Sequence, residues 1–196
     1  MSLLDISKLK TLGHKKQLTF AYLACERMFP NTAYFIELEN FGDLQSFKKG
    51  IDLVYRSIFG REKTLFIEVD SVLNSIYNSI PSTTDFPTPY GTLALYSGST
   101  IHQSVCLIKN NDTDKLLEEI STSPINAIDL YIQERDDMDY DDPQFEQKIT
   151  NDPLMQTEIN LQSGIIQYLS KIDFVTSDDV NTLLNAQVEQ TIALKF

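Results

Sequence analysis

The clearest structural signal in this chain is the stretch DLQSFKKGIDLVYRSIFG, residues 43–60. Its apolar residues recur at steps of three and four, which places them on one stripe of an α-helix, whereas a strand would repeat every two residues. Asp43 stands where an N-cap accepts backbone N–H groups, and Gly60 stands where helices commonly end. The pattern therefore predicts an amphipathic helix between these two residues. The stripe consists of Leu44, Phe47, Ile51, Val54 and Ile58.

The same helical spacing continues toward the N-terminus. One stripe runs from Leu18 to Phe29 and is expected to stop near Pro30, because the residue before a proline is pushed out of the helical region. Asn31 is then expected to cap a short helix that ends at the Phe41-Gly42 turn.

Toward the C-terminus, one more helix is expected before a rigid loop from Pro81 to Gly91, which holds three of the seven prolines. Ser123-Pro124 is interpreted as an N-cap followed by a proline at the first helical position. Alternation with period two is confined to residues 64–69, so strands are at most incidental. The sequence thus predicts an all-α fold, a single compact bundle of seven to nine helices forming one domain over residues 1–196. The other expected helices are Val69–Ile80, one resuming at Thr92, one around Leu116–Ile120, Leu154–Ile172 and Val180–Leu194, the last capped by Thr176 or Ser177.

Composition and the ends of the chain indicate a cytoplasmic globular protein. With 196 residues, 42% of them hydrophobic and 22% charged, the chain is neither disordered nor fibrous. It opens without the order of a secretory signal, and no window approaches the roughly 18 apolar residues of a membrane span. Cys25 and Cys106 are the two cysteines. We expect two buried thiols in a reducing compartment, with a disulfide or a reactive thiol as the alternative.

The charge is negative overall and unevenly distributed. The net charge is −12, and residues 64–196 hold 21 of the 28 acidic side chains but only six of the 16 basic ones. This balance argues against a nucleic-acid partner, because phosphate binding needs clustered Lys and Arg. Residues 1–63 are therefore slightly positive and residues 64–196 strongly negative. The two segments either attract one another within the fold or present an acidic face to a basic partner.

The acidic run Asp136–Asp142 partly resembles a calcium loop. Asp137, Asp139 and Asp141 occupy its first, third and fifth positions. The sixth position needs glycine but is Asp142, and the twelfth needs a bidentate glutamate but is Lys148. We therefore expect a solvated acidic loop, with a loose divalent site as the alternative.

No metal or cofactor is expected elsewhere. His14 and His102 are the two imidazoles, and neither has a second ligand at a zinc spacing. Gly-rich phosphate loops and hydrolase nucleophile motifs are absent from the sequence. Pro143 is expected to start the helix after the acidic loop.

Four residues are candidates for ligand or partner contact: Glu26, Arg27, His102 and Asp43. Glu26 and Arg27 interrupt an apolar helical stripe, and a buried guanidinium needs a carboxylate. We expect Arg27 to form an ion pair with an acidic segment, and the alternative is a ligand anchor. His102 shares a helical face with Cys106, so a thiolate–imidazolium pair is conceivable, although a structural histidine is the preferred interpretation.

The run ACERMFPN, residues 24–31, followed by Phe35 and by Phe41-Gly42-Asp43, resembles the opening signature of the YjaG-like family of bacterial proteins, domain of unknown function 416. The likeness extends over roughly residues 12 to 170. It implies an all-helical cytoplasmic bacterial protein, with a homodimer as one form, and it brings no catalytic or binding residues. Further matching positions are Ile80-Pro81-Ser82, Asp85-Phe86, Tyr90-Gly91, Ala94 and, more loosely, Thr122-Ser123.

Two functional hypotheses follow. The first is a non-catalytic protein-interaction module that binds a protein partner or a second copy of itself, in its sharper form an acidic inhibitor or immunity-type protein. The second is a small-ligand-binding protein or enzyme with a site between helices around Glu26, Arg27 and His102. The first is favoured, because the sequence contains no complete catalytic constellation.

Overall fold

The structure, a computed structural model, describes residues 4–60, 62–109 and 112–187, with their side chains except those of residues 62–67. The described part of the chain forms nine α-helices and no strand, which confirms the all-α prediction. Within it, no helix combines the length and the apolar character that crossing a membrane requires. The helices are α1 (Ser7–Lys10), α2 (His14–Glu39), α3 (Leu44–Phe59), α4 (Glu62–Tyr77), α5 (Pro89–Leu107), α6 (Thr113–Arg135), α7 (Phe145–Asn151), α8 (Pro153–Lys171) and α9 (Ser177–Gln187).

Helix α3 has the predicted boundaries. An Asp43 carboxylate oxygen accepts a hydrogen bond from the Gln45 N–H at 2.9 Å, and Gly60 follows the last helical residue. Phe47 and Val54 on the predicted stripe are completely buried. The 3-4-3-4 spacing therefore identifies the face that packs into the bundle.

The predicted break at Pro30 is wrong, because α2 continues through it to Glu39. Pro30 removes the helical hydrogen bond to the Glu26 carbonyl, a local cost that tertiary packing can override. Here the Ser97 hydroxyl of α5 donates to the Met28 carbonyl at 2.6 Å, and the Thr32 hydroxyl donates to Ser97 at 2.6 Å. Asn31 is consequently a buried residue within the helix and not an N-cap.

The predicted helix start at Ser123-Pro124 is wrong for a similar reason, because α6 runs through both residues. The Ser123 hydroxyl donates to the Glu119 carbonyl at 2.9 Å instead of capping a new helix. On the neighbouring turn, the Gln162 side chain of α8 donates to the Ser121 carbonyl at 2.9 Å. A side chain from another helix thus supports the backbone beside each internal proline.

Several smaller boundaries also differ from the prediction. Helix α5 begins at Pro89 with Thr88 as its N-cap, so the loop that was expected to reach Gly91 is shorter. Residues 64–69 lie within α4, and α7 begins at Phe145, two residues after Pro143. The last helix is described up to Gln187, and its predicted continuation to Leu194 lies outside the described residues.

Helix α5 lies at the centre of the bundle, in contact with α2, α3, α4 and α6. Its small residues allow this close packing. Ala94 and Ser97 are completely buried, and a Cβ on Gly98 would lie 2.8 Å from the Ile80 side chain. One large apolar cluster joins most of the helices, and a smaller one surrounds Met28 and Met155.

Many of the residues on which the family resemblance rests meet at one end of the bundle. The ring of Phe86 lies 5.1 Å from that of Phe35 and 4.9 Å from that of Phe41, measured between centroids. Gly42 has a φ of +92°, a conformation that favours glycine. A Cβ on Gly91 would lie 2.3 Å from the Phe86 carbonyl oxygen. The cluster of Phe35, Phe41 and Phe86 fixes the loop between α4 and α5 against the end of α2.

Candidate functional site

The four candidate residues lie in separate places. Arg27 points into the core, whereas its neighbour Glu26 lines a groove between α2 and α3. His102 lies on α5 beside Tyr77 of α4, and Asp43 caps α3. The structure therefore does not bring Glu26, Arg27 and His102 into one site.

Arg27 forms the ion pair that the sequence predicts. It is the largest side chain that the described structure buries completely, and its guanidinium contacts the carboxylate of Glu158 on α8; each residue is 2% exposed. Gln162 donates to the other Glu158 oxygen at 2.7 Å and to the Ser121 carbonyl at 2.9 Å. Because this chain of contacts joins α2, α8 and α6, it is a structural connection through the core.

Glu158 and Gln162 were not among the predicted site residues, although the sequence contains a signal for them. The buried face of α8 follows the 3-4-3-4 spacing through residues 155, 158, 162, 165 and 169. Two polar residues at the second and third positions of an apolar stripe indicate a buried polar network. The spacing does not reveal that Arg27, 131 residues away, is the partner.

Glu26 lines an aromatic groove of 270 Å³ between α2 and α3. The ring of Tyr22 lies 5.1 Å from that of Tyr55, and Phe29 is also in the lining. Burial and the negative charge of Glu26 raise the pKa of Tyr22 well above its usual range. Glu26 forms no ion pair with any residue that the structure describes.

His102 and Cys106 are neighbours, but their environment does not favour the charged pair. The Nδ1 of His102 lies 3.8 Å from the Sγ of Cys106. Burial lowers the pKa of His102 and raises the pKa of Cys106, so both are shifted toward their neutral forms. Cys106 is half-buried, which corrects the expectation of two buried thiols, whereas Cys25 is buried; both are free.

Asp43 performs a structural task. Its carboxylate accepts hydrogen bonds from the Ser46 hydroxyl at 2.6 Å and from the Gln45 N–H, and these contacts lower its pKa. The backbone N–H of Asp43 donates a hydrogen bond to the Ser79 hydroxyl oxygen at 3.2 Å. The residue therefore fixes the start of α3 and the chain before it.

Replacing Asp43 with alanine should lower the free energy of unfolding by about 1 kcal/mol, because a helix N-cap is lost. Asp43→Asn should retain most of the cap, since asparagine also accepts from backbone N–H groups. A carboxyl with a lowered folded-state pKa stabilises above its unfolded pKa, near 3.8, and that contribution is lost as the pH falls. Urea unfolding at neutral pH and at acid pH should therefore show the alanine penalty shrinking on acidification.

The acidic loop, residues Asp136–Asp142, is fixed by ion pairs at its two ends. Arg135 contacts Asp136 and Asp152 at 2.7 Å, and Lys148 contacts Asp142 at 2.6 Å. Lys148 thus places a cation at the position where a calcium loop needs its last carboxylate. Among the described residues, no group of three His, Cys, Asp or Glu side chains is arranged to hold a metal ion.

The centre of the acidic loop is open to solvent. Tyr140 is 75% exposed, and its ring lies 5.2 Å from that of Phe145. Asp137, Asp139 and Asp141 are exposed around it, and none of them forms an ion pair within the described part of the chain. An exposed aromatic ring among unpaired carboxylates is suited to contact with a cationic surface.

Three grooves larger than the one beside Glu26 lie elsewhere in the described part of the bundle. The groove of 640 Å³ between α1 and α6 contains the Lys10–Glu118 ion pair. A groove of 410 Å³ between α5 and α6 is lined mainly by hydroxyl, amide and carboxylate groups, and one of 490 Å³ between α8 and α9 is mainly apolar. None of these three contains a histidine or a cysteine in its lining.

Comparisons with known proteins agree with this fold. The family model described as protein of unknown function (DUF416) matches residues 6–193. The chain is 24% identical to the uncharacterized protein YjaG of Escherichia coli over 85% of this chain and 82% of that protein. It is 30% identical to YjaG of Salmonella typhimurium over 40% of this chain and 39% of that protein.

A solved structure has the same fold. The crystal structure of a DUF416 family protein from Shewanella baltica aligns with a TM-score of 0.81 over 94% of this chain and 93% of that one. The two sequences are 23% identical, so the likeness concerns the fold alone. The arrangement of the helices is therefore shared with an experimentally determined bundle.

Proposed function

This chain belongs to the DUF416 family, and because that membership brings no reaction with it, we propose a function from the surface of the chain: a non-catalytic protein-interaction module whose acidic loop binds a cationic protein. In its sharper form, the proposed role is that of an acidic inhibitor or immunity-type protein acting in the bacterial cytoplasm. The observation that carries this proposal is Tyr140, 75% exposed among three carboxylates without ion pairs in the described structure.

The chemistry of the acidic loop fits such a partner. Tyrosine supplies a large contact area at a small entropic cost and is enriched among the residues that dominate interface energies. Unpaired carboxylates around it accelerate encounter with a positively charged surface. The ion pairs of Arg135 and Lys148 hold both ends of the loop, which reduces the ordering cost on binding.

The interior of the bundle supports binding over catalysis. The buried guanidinium of Arg27 is engaged by Glu158, and the Asp43 carboxylate is engaged in capping α3. His102 has a lowered pKa next to a thiol whose pKa is raised, an arrangement that does not generate a thiolate nucleophile. Three of the four candidate residues, Arg27, Asp43 and His102, are thereby occupied by structural contacts or shifted away from reactivity.

Site-specific photo-crosslinking tests the proposed surface. A benzophenone amino acid at Tyr140 should give a discrete adduct when the purified chain is added to bacterial lysate, and mass spectrometry should identify a net-positive protein. Phe174 is a matched control, because it is 74% exposed but lies in the connection between α8 and α9. The adduct should disappear at about 0.5 M salt, where the attraction between exposed charges is strongly screened.

Adducts of equal yield at both positions, or adducts at Tyr140 that are insensitive to salt, would contradict a binding surface built on charge. An adduct with a second copy of this chain would replace the cationic partner with self-association.

Neutralising the acidic loop should abolish the Tyr140 adduct. In the variant Asp137→Asn/Asp139→Asn/Asp141→Asn, the asparagine at position 137 tolerates the left-handed φ of 45°, and the one at position 139 keeps an acceptor for the N–H of residue 141. The free energy of unfolding should change by no more than about 0.5 kcal/mol, as for other exposed substitutions. Retention of the adduct in a folded triple variant would show that the charges do not contribute to recognition.

A further inference from the structure

We infer that the groove between α2 and α3 binds an alkylammonium group, with its positive charge beside the Glu26 carboxylate and against the aromatic side chains around it. This site is separate from the acidic loop and does not depend on the proposed function. It is lined by Tyr22, Glu26, Phe29, Lys48, Ile51, Asp52 and Tyr55.

Three aromatic side chains line the groove, namely Tyr22, Phe29 and Tyr55. The rings of Tyr22 and Tyr55 lie 5.1 Å apart and are tilted by 49°, and Phe59 lies 5.5 Å beyond Tyr55. Aromatic rings attract cations through the negative charge of their π faces. Ile51, only 7% exposed, adds an apolar contact for the methylene groups of a ligand.

The carboxylate in the groove has no cationic partner in the described structure. Glu26 is half-buried, and its negative charge acts on Tyr22 and Cys25, neither of which is a cation. Asp52, the other carboxylate in the lining, is already paired with Arg56 at 2.7 Å. A partly buried carboxylate gains more from a counter-charge than an exposed one does, because water screens it less. Glu26 is therefore the anionic group that a ligand would find unpaired.

The size and donor pattern favour an ammonium group over a guanidinium. The groove holds 270 Å³, which is below the roughly 300–1,000 Å³ of sites for drug-sized ligands. A guanidinium is a larger, planar group that gains most from a bidentate carboxylate contact, which needs more room beside Glu26. An ammonium is a compact point charge that needs only one free acceptor.

Lys48 lines the same groove as Glu26, so its positive charge allows a second test of the proposed ammonium site. Its side chain forms no ion pair with any described residue, so its ammonium competes with that of a ligand. Removing the lysine charge should therefore strengthen binding, while removing the Glu26 charge should weaken it. A merely apolar groove would respond to neither change.

The test is a titration of the full-length chain with n-butylammonium, followed by NMR of isotope-labelled isoleucine methyl groups. The Ile51 methyl resonance should shift and saturate with butylammonium, whereas n-butanol and butyrate should give no saturable shift. Glu26→Gln should weaken binding by at least about tenfold, as expected for loss of a charged hydrogen-bond partner. Lys48→Met should strengthen it about two- to fivefold, as expected for removal of a partly screened like charge.

Glu39→Gln is the matched control, because it removes an exposed carboxylate from the same helix and should leave binding unchanged. A blocked lysine, Nα-acetyl-lysine N-methylamide, distinguishes the two sources of the group. Tighter binding than butylammonium assigns the site to a lysine side chain of another protein, and weaker or equal binding assigns it to a free amine. If neither probe shifts Ile51, or if Glu26→Gln binds as well as the wild type, the site does not exist.

Discussion

Replacing Arg27 with methionine should lower the free energy of unfolding by about 3–5 kcal/mol, because it leaves the Glu158 carboxylate buried without its counter-charge. Both residues are 2% exposed, so solvent cannot replace the lost partner without opening the core. Gln162 would remain as a hydrogen-bond donor to Glu158, but an amide does not neutralise a carboxylate. Urea unfolding followed by far-UV circular dichroism measures the change.

Two further variants separate the buried charge from a general loss of packing. The double variant Arg27→Met/Glu158→Met should unfold within about 1 kcal/mol of the wild type or be more stable, because no buried charge is left. Arg56→Met is the matched control, since Arg56 pairs with Asp52 and Glu68 on the exposed surface. It should cost no more than about 1 kcal/mol. Equal losses for the Arg27 and Arg56 variants would contradict the structural role of the buried pair.

Replacing Gly91 with alanine should lower the free energy of unfolding by about 1–3 kcal/mol, the usual cost of overpacking. The new Cβ would lie 2.3 Å from the backbone oxygen of Phe86 and 2.9 Å from its Cβ. A backbone atom cannot rotate away as a side chain can. The start of α5 would therefore have to move away from the loop that holds Phe86. Thermal and urea unfolding measure the loss.

Gly164→Ala is the control for this second prediction. Gly164 also lies in a helix, but a Cβ there meets no atom within 4 Å. Alanine should stabilise the chain by roughly 0.5–1 kcal/mol, because glycine loses more conformational freedom on folding. A Gly91 variant as stable as the Gly164 variant would show that the loop of Phe86 does not pack closely on α5.

Local patterns predicted the faces of the helices but not all of their lengths. The stripe of α3 and its cap at Asp43 were correct, because both depend on residues within one helix. Pro30 and Pro124 were interpreted as boundaries, since a proline in isolation removes a helical hydrogen bond. The contacts that support the continuing helices come from Ser97 and Gln162, which are distant in sequence. A local pattern carries no information about such partners.

The same limit applies to the candidate sites. The apolar surroundings of Arg27 predicted a buried ion pair, but the choice of Glu158 depends on how α8 packs against α2. Glu26 was identified as a candidate, yet its aromatic neighbour Tyr55 belongs to another helix, and the groove exists only because α2 and α3 pack together. Adjacent residues in a helix point in different directions, which is why Glu26 and Arg27 do not share a site.

The most direct test of a function located on the outside of the bundle compares the Tyr140 adduct in two folded variants. One variant is Arg27→Met/Glu158→Met, which removes charge from the core, and the other is Asp137→Asn/Asp139→Asn/Asp141→Asn, which removes it from the acidic loop. We expect the core variant to retain the adduct at wild-type yield and the loop variant to lose it. Loss of the adduct in the core variant together with its retention in the loop variant would contradict this view of the protein.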